Sequence, residues 1–129
     1  YIDVLEHIEN DRLELELASK HLAREGHIVV LAPAHQWLFS PFDAAVGHFR
    51  RYSRNSLLKI GPPDVVPVYA AYLDSVGLLA SLSNRFFVGS AMPTRNQIRF
   101  WDQVMVPVSR IVDSVTLHSF GKSVLVVWR

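Results

Sequence analysis

Residues 1–8 read YIDVLEHI, an apolar start that passes directly into an acidic turn bearing a histidine. This pattern is typical of a strand end in an α/β domain, where ligands bind beyond the carboxyl ends of the strands. Asp3, Glu6 and His7 would then cluster at such an end. Alternatively, Glu6 and His7 begin a solvated helix, in which the helix dipole favours glutamate. We favour the α/β interpretation and expect further elements upstream of Tyr1.

The residues after this turn predict a helix and then a second strand. Asn10 or Asp11 can cap a helix that runs to about Arg24, and Gly26 can supply the left-handed residue that ends it. Residues 27–32 are almost uninterruptedly apolar, which predicts a strand covered on both faces. Three residues at helical spacing would pack the helix: Leu15, Ala18 and Leu22.

This order of elements resembles the second half of class I S-adenosylmethionine-dependent methyltransferases, of the type 11 or type 23 group. In that family the segment matching residues 3–8 closes the fourth strand, and the run at 28–33 is the fifth strand. The resemblance continues through GHFRRY at 47–52 and a last strand at 123–127. The family's Pro-Gly-Gly turn is replaced by residues 25–27, EGH, and its glycine-rich cofactor loop has no counterpart.

The resemblance implies a partial Rossmann-like methyltransferase fold of the α/β class. It would contain the end of strand four, strands five, six and seven, and a helical insertion between strands six and seven. Residues 1–129 are then one partial domain, with a core part at 1–73, the insertion at 74–121 and the last strand, antiparallel to its neighbours, at 122–129. Because exposed edges invite pairing, we expect a homo-oligomer or a complex with the missing N-terminal half.

Local signals place the remaining elements. Ser53 predicts a capped helix over 54–60 that stops at Gly61, followed by a strand over 65–73. A longer helix is predicted over 94–117, kinked or split by its internal proline at position 107. It carries an apolar stripe that predicts packing against a partner helix, or else a lid for a greasy acceptor or a membrane contact: Ile98, Trp101, Met105, Val108, Val112 and Val115.

The loop after the strand at 28–33 carries most of the remaining chemistry. His35 and His48 are candidates for a general base, since neutral imidazole accepts a proton near neutral pH. Each could instead be a loop histidine bonded to a carbonyl. Arg50 and Arg51 could hold an anionic acceptor or a cofactor carboxylate, or form a solvated face.

The resemblance further implies methyl transfer from S-adenosylmethionine to a small-molecule or lipid-like acceptor. Three residues would line the cofactor site: Asp3, Val4 and Leu5. Four would face the acceptor as catalytic residues: His48, Glu6, His7 and Tyr52. Without the glycine-rich loop, residues 1–129 alone are expected to be inactive.

The spacing Asp3-x-x-Glu6-His7 with a later His48 is also similar to a second arrangement. Small-RNA 2′-O-methyltransferases and related ubiquinone O-methyltransferases hold a divalent cation with Glu-x-x-Glu-His and a distant histidine. Mixed carboxylate and imidazole ligands suit such an ion. The sequence prediction favours a site without metal and keeps the cation as its alternative.

Composition excludes several other classes. The 129 residues carry a net charge of +1, which gives no bulk case for nucleic acid, and the absence of cysteine excludes disulfide and cysteine-zinc frameworks. There is no signal-peptide pattern, so a cytoplasmic location is expected. The competing functional class is a non-catalytic half-domain that acts as an interaction or dimerisation module through the stripe between Ile98 and Val115.

Overall fold

The computed structural model describes residues 1–87 and 94–129, apart from the side chains of residues 83–87 and 97. This part of the chain is mixed α/β, with helices packed against a three-stranded antiparallel sheet. The strands are β1 (Ile28–Pro33), β2 (Pro67–Leu73) and β3 (Ser123–Trp128), in the order β1-β3-β2. The last strand is antiparallel to both neighbours, as predicted.

A short extended segment at the start of the chain runs beside β1. Ile2 forms a parallel bridge with Leu31, and the Asp3 amide donates to the Leu31 carbonyl at 2.9 Å. The segment and β1 therefore end at the same edge of the sheet. The residues that follow each of them are brought together beyond that edge.

The core lies on one face of the sheet. Alternate residues of β3 point into it, where Val124, Val126 and Trp128 are almost fully buried. The prediction that residues 27–32 are covered on both faces is wrong, because Val29 is 38% exposed while Val30 is fully buried. Three helical or loop side chains close this core: Leu15, Leu57 and Tyr52.

The first helix, α1 (Asp11–Ser19), begins where predicted and ends earlier. Asn10 is its cap, since its side-chain oxygen accepts from the Leu13 amide. Glu25, with φ of 65°, takes the left-handed conformation that was predicted for Gly26. Gly26 is required for space instead, because a Cβ there would lie 2.8 Å from the Ala23 carbonyl oxygen.

Two short helices shape the segment between β1 and β2. Helix α2 spans Pro41–Ala45 and α3 spans Arg54–Lys59. The predicted cap of α3 is confirmed, since the Ser53 hydroxyl accepts from the Ser56 amide at 3.0 Å. The strand that follows begins at Pro67, two residues later than predicted.

The predicted insertion is helical where it is described, and residues 88–93 lie outside the described residues. Helix α4 spans Ser75–Phe87, α5 spans Arg95–Phe100 and α6 spans Val106–Val115. A π-helical turn, Trp101–Met105, joins α5 to α6, and Pro107 lies in the first turn of α6, so the helix changes geometry directly ahead of its proline. Proline cannot donate the backbone hydrogen bond of a regular helix.

Within the described residues, the apolar stripe predicted on this helix does not form one packing face. Met105 is 8% exposed, whereas Ile98 and Val108 are each 44% exposed and Val115 is 78% exposed. The prediction assumed a regular α-helix. The π-helical turn is wider, so it shifts the residues after it around the helix axis. Among the described residues, no helix combines the length and apolar character needed to cross a bilayer.

Candidate functional site

The candidate site lies beyond the edge where the N-terminal segment and β1 end. A tight turn, Leu5–His7, follows the segment. The loop after β1 returns to it, because the Phe49 amide donates to the Glu6 carbonyl at 2.8 Å. This contact explains how residues distant in sequence meet at one place.

Glu6, His7 and His48 form the centre of the site. Each offers one ligand atom, and these atoms lie within 4.8 Å of one another. His48 Nε2 is 3.9 Å from a Glu6 carboxylate oxygen, and the two imidazole rings meet edge to face with centroids 4.6 Å apart. Glu6 is fully buried while His7 is exposed, so the cluster opens to solvent on the His7 side.

Asp43 holds His48 in place through the ring nitrogen Nδ1, while the other ring nitrogen, Nε2, is the one near Glu6. Its carboxylate accepts from His48 Nδ1 at 2.9 Å and from Arg51 Nε at 2.8 Å, while Arg51 Nη2 donates to its second oxygen at 3.0 Å. Asp43 is fully buried. Although burial alone would raise its pKa, the hydrogen bonds from Arg51, Ser40 and His48 outweigh that effect and lower the pKa of Asp43 to about 2.

Sequence reasoning did not single out Asp43 as a site residue, although a local signal exists. Ser40 stands three residues before it and is followed by Pro41, the pattern of a capping box at a helix start. In the structure Ser40 and Asp43 form that capping box at α2. The same carboxylate thus begins a helix and orients a histidine.

The hydrogen bonds of the two histidines determine which ring nitrogen is free. His48 Nδ1 lies against a carboxylate, and His7 Nδ1 lies 3.2 Å from the Gly47 carbonyl oxygen. Both partners are acceptors, so in the neutral form of each ring the proton is on Nδ1 and the lone pair is on Nε2. Gly47 has φ of 85°, a conformation that favours glycine, so its carbonyl position depends on this residue type.

The Glu6 side chain is buried without a hydrogen-bond partner on either carboxylate oxygen. Burial raises the pKa of this carboxyl group. A buried carboxylate needs either a proton or a cation. With two imidazole lone pairs beside it, this donor set fits a divalent cation of the kind that accepts nitrogen and oxygen ligands.

The three residues predicted to line the cofactor site differ in their exposure to solvent. Asp3 and Val4 are exposed at the strand end, and Asp3 has φ of 50°. Leu5 is fully buried in the core, so its side chain does not line the crevice. The structure therefore leaves Asp3 and Val4 available to a ligand.

Tyr52, predicted to face the acceptor, is instead buried in the core and is not exposed at the site. It is 2% exposed, and its hydroxyl donates to an Asp11 carboxylate oxygen at 2.8 Å. Burial, followed by this carboxylate, raises the pKa of Tyr52. Its single proton is thus engaged inside the core.

The other predicted loop residues serve structural contacts. His35 Nε2 lies 3.0 Å from the Gly121 carbonyl oxygen, so His35 corresponds to the carbonyl-bonded alternative. Arg51 pairs with Asp43 as described, and Arg50 Nη1 lies 2.7 Å from an Asp11 carboxylate oxygen. Both arginines are occupied by carboxylates of the chain itself.

A second feature at this edge of the sheet was not predicted. Lys122 immediately precedes β3, and its Nζ lies 4.8 Å from the ring centroid of Trp101. Burial lowers the pKa of Lys122, although Asp74 opposes that effect. The two side chains border a cavity of about 150 Å³ that also touches Asp74 and Met105.

The stability of the chain should depend on pH through Asp43. Its pKa falls from an ordinary 3.8 to about 2 on folding, so its ionisation stabilises the fold fully above about pH 4. At about 1.4 kcal/mol per pH unit, we expect a loss of about 2 kcal/mol as the pH falls through about 2. Urea unfolding at several pH values measures it, and the Asp43→Asn variant should lack this part of the acid dependence.

Two comparisons with known proteins bear on the site. No protein-family model matches the chain, and the search of curated proteins gives no match either. The function must therefore be inferred from the contacts around Glu6, His7 and His48.

Proposed function

We propose that this chain forms the acceptor side of an S-adenosylmethionine-dependent methyltransferase whose acceptor site uses a divalent cation. The observation that carries the proposal is the Glu6, His7 and His48 cluster, in which two oriented imidazoles face a buried carboxylate without hydrogen-bond partners. The acceptor would be a small molecule or a lipid-like compound with a nucleophilic oxygen.

The chain topology supports this proposal. Ligands of open α/β sheets bind beyond the carboxyl ends of strands, and the cluster follows two parallel extended segments that end at one edge. The antiparallel last strand also agrees with the resemblance to methyltransferases. S-adenosylmethionine would lie against Asp3 and Val4, next to the acceptor.

Methyl transfer is an in-line displacement at a sulfonium, so the protein must align the acceptor and help it lose a proton. A divalent cation held by Glu6, His7 and His48 would supply Lewis acidity to the acceptor oxygen. Asp43 and the Gly47 carbonyl occupy the Nδ1 atoms of His48 and His7. The Nε2 atoms would then be the ones that bind the cation. The open side at His7 would admit the acceptor.

The contact between Asp43 and His48 also supports an alternative version of the same chemistry, in which no cation takes part. A buried carboxylate that accepts from Nδ1 stabilises the imidazolium formed when Nε2 takes a proton. His48 would then be the general base, with Glu6 as its neighbour at 3.9 Å. Whether the chain binds a divalent cation distinguishes the two versions.

A second candidate function is an interaction module. Four apolar side chains on the N-terminal segment and α1 are between 43% and 57% exposed: Ile2, Val4, Leu13 and Leu17. Among the described residues, only β1 pairs with the N-terminal segment, so its other edge is free. A second copy or an N-terminal half-domain could cover this side.

Calorimetric titration with S-adenosylhomocysteine tests the methyl-transfer proposal. We expect saturable binding that the Asp3→Ala variant weakens about tenfold, because Asp3 is the exposed carboxylate at the strand end. Asp64→Ala is the matched control, since Asp64 is also exposed but precedes β2 at the opposite edge.

Absence of binding by a chain with native circular dichroism would contradict the placement of S-adenosylmethionine against Asp3 and Val4 in this chain. That result would favour the interaction module. Binding that is equally weakened by both aspartate variants would contradict the assigned location of the cofactor.

A further inference from the structure

The helices α5 and α6 carry a line of apolar side chains that the described part of the chain leaves exposed. Its members recur at spacings of 4, 4, 3 and 4 residues along α5, the π-helical turn and α6, and all of them are exposed. Their exposed fractions range from 44% to 78%. We call this set the apolar line: Phe100, Val104, Val108, Ile111 and Val115.

The opposite side of α6 is fixed to the protein. Asp113 is 4% exposed, and its carboxylate accepts from the backbone amides of Asp74 and Ser75 at 2.8 and 3.0 Å. Ser109, also buried, donates to the Asp74 carboxylate at 2.7 Å. Rotating α6 to bury the apolar line would break these buried hydrogen bonds, so the line stays exposed.

Arginines accompany the apolar line. Arg99 and Arg110 each stand directly before a member of the apolar line, Phe100 and Ile111, and Arg95 lies one turn before Arg99 within α5. All three are exposed. Within the described helices α5 and α6 and the turn between them, Asp102 is the one exposed acid, since Asp113 is buried.

We propose that this face binds the surface of an anionic lipid membrane. The apolar line would enter the boundary between headgroups and acyl chains, while the arginines contact the lipid phosphates. A second copy of the chain is a poorer occupant, because a two-fold symmetric contact would bring like-charged arginines of both copies together. The proposal is independent of methyl transfer.

Co-sedimentation with vesicles tests the membrane surface. We expect binding to vesicles of phosphatidylcholine with phosphatidylglycerol, and much weaker binding to phosphatidylcholine alone or in high salt. The double variant Ile111→Asp with Val115→Asp should bind at least about tenfold more weakly, as should Arg99→Gln with Arg110→Gln. These side chains are exposed, so the variants should fold, which circular dichroism checks.

Val66→Asp is the matched control, because Val66 is 61% exposed just before β2 and outside the apolar line. It should bind the mixed vesicles as the unaltered chain does. No binding by the unaltered chain, or equal binding by the Ile111→Asp and Val115→Asp variant, would overturn the proposal. Self-association that this variant abolishes, without vesicle binding, would instead assign the face to a second copy.

Discussion

Replacing Asp43 with asparagine is expected to lower the free energy of unfolding by about 3 kcal/mol. The substitution keeps the shape of the side chain and removes the charge that pairs with Arg51, whose side chain is only 10% exposed. Breaking a buried ion pair on one side leaves the other charge without compensation, which costs several kcal/mol. Urea unfolding followed by circular dichroism measures the change.

The same substitution should also disturb the site. His48 exchanges a carboxylate at Nδ1 for a neutral amide, and loss of such a charged partner costs about ten- to a hundredfold in metal affinity. Glu16→Gln is the matched control, because it breaks the exposed pair with Arg12 and should change stability by under about 0.5 kcal/mol. Equal stability of the two variants would show that the Asp43 contacts are not the ones that hold this loop.

Replacing Glu6 with glutamine is expected to abolish divalent cation binding while stabilising the chain without metal. Mn²⁺ is a suitable probe, since it accepts both carboxylate and imidazole ligands. The gain in unfolding free energy should be about 1 kcal/mol, because a buried charge without hydrogen bonds is removed. Calorimetry with Mn²⁺ and urea unfolding measure the two effects separately.

Glu9→Gln is the matched control for Glu6, since Glu9 is exposed three residues further along. It should leave both Mn²⁺ affinity and stability unchanged. Mn²⁺ binding that persists in the Glu6→Gln variant would contradict the cation site. If the unaltered chain binds no Mn²⁺, the general-base role of His48 becomes the favoured chemistry.

Elements set by local chemistry could be predicted from the sequence. The serine cap of α3 and the continuous apolar run of β3 depend on residues close together in the chain, and both appear where expected. Glu6 and His7 were recognised as candidates because they directly follow an extended segment. Local hydrogen bonding and apolar patterning account for the two confirmed elements, the α3 cap and β3.

Features that depend on distant contacts could not be predicted. Asp43 is defined by Arg51 and His48, and nothing in residues 40–45 alone indicates that its carboxylate is buried. Tyr52 has the chemistry of a catalytic residue but lies in the core, where its hydroxyl donates to an Asp11 carboxylate oxygen. The exposed side of α6 likewise follows from Asp113 reaching the start of α4.

The pairing of Leu73 with Ser123 has a consequence for how the chain is connected. Because β2 and β3 are antiparallel neighbours, the sheet itself requires only a tight hairpin turn between them. The backbone leaves at Asp74 and returns at Lys122, whose amide donates to the Asp74 carbonyl at 3.0 Å. Insertions or deletions between these two points therefore need not shift the strand register, so this stretch can change in length while the sheet is preserved.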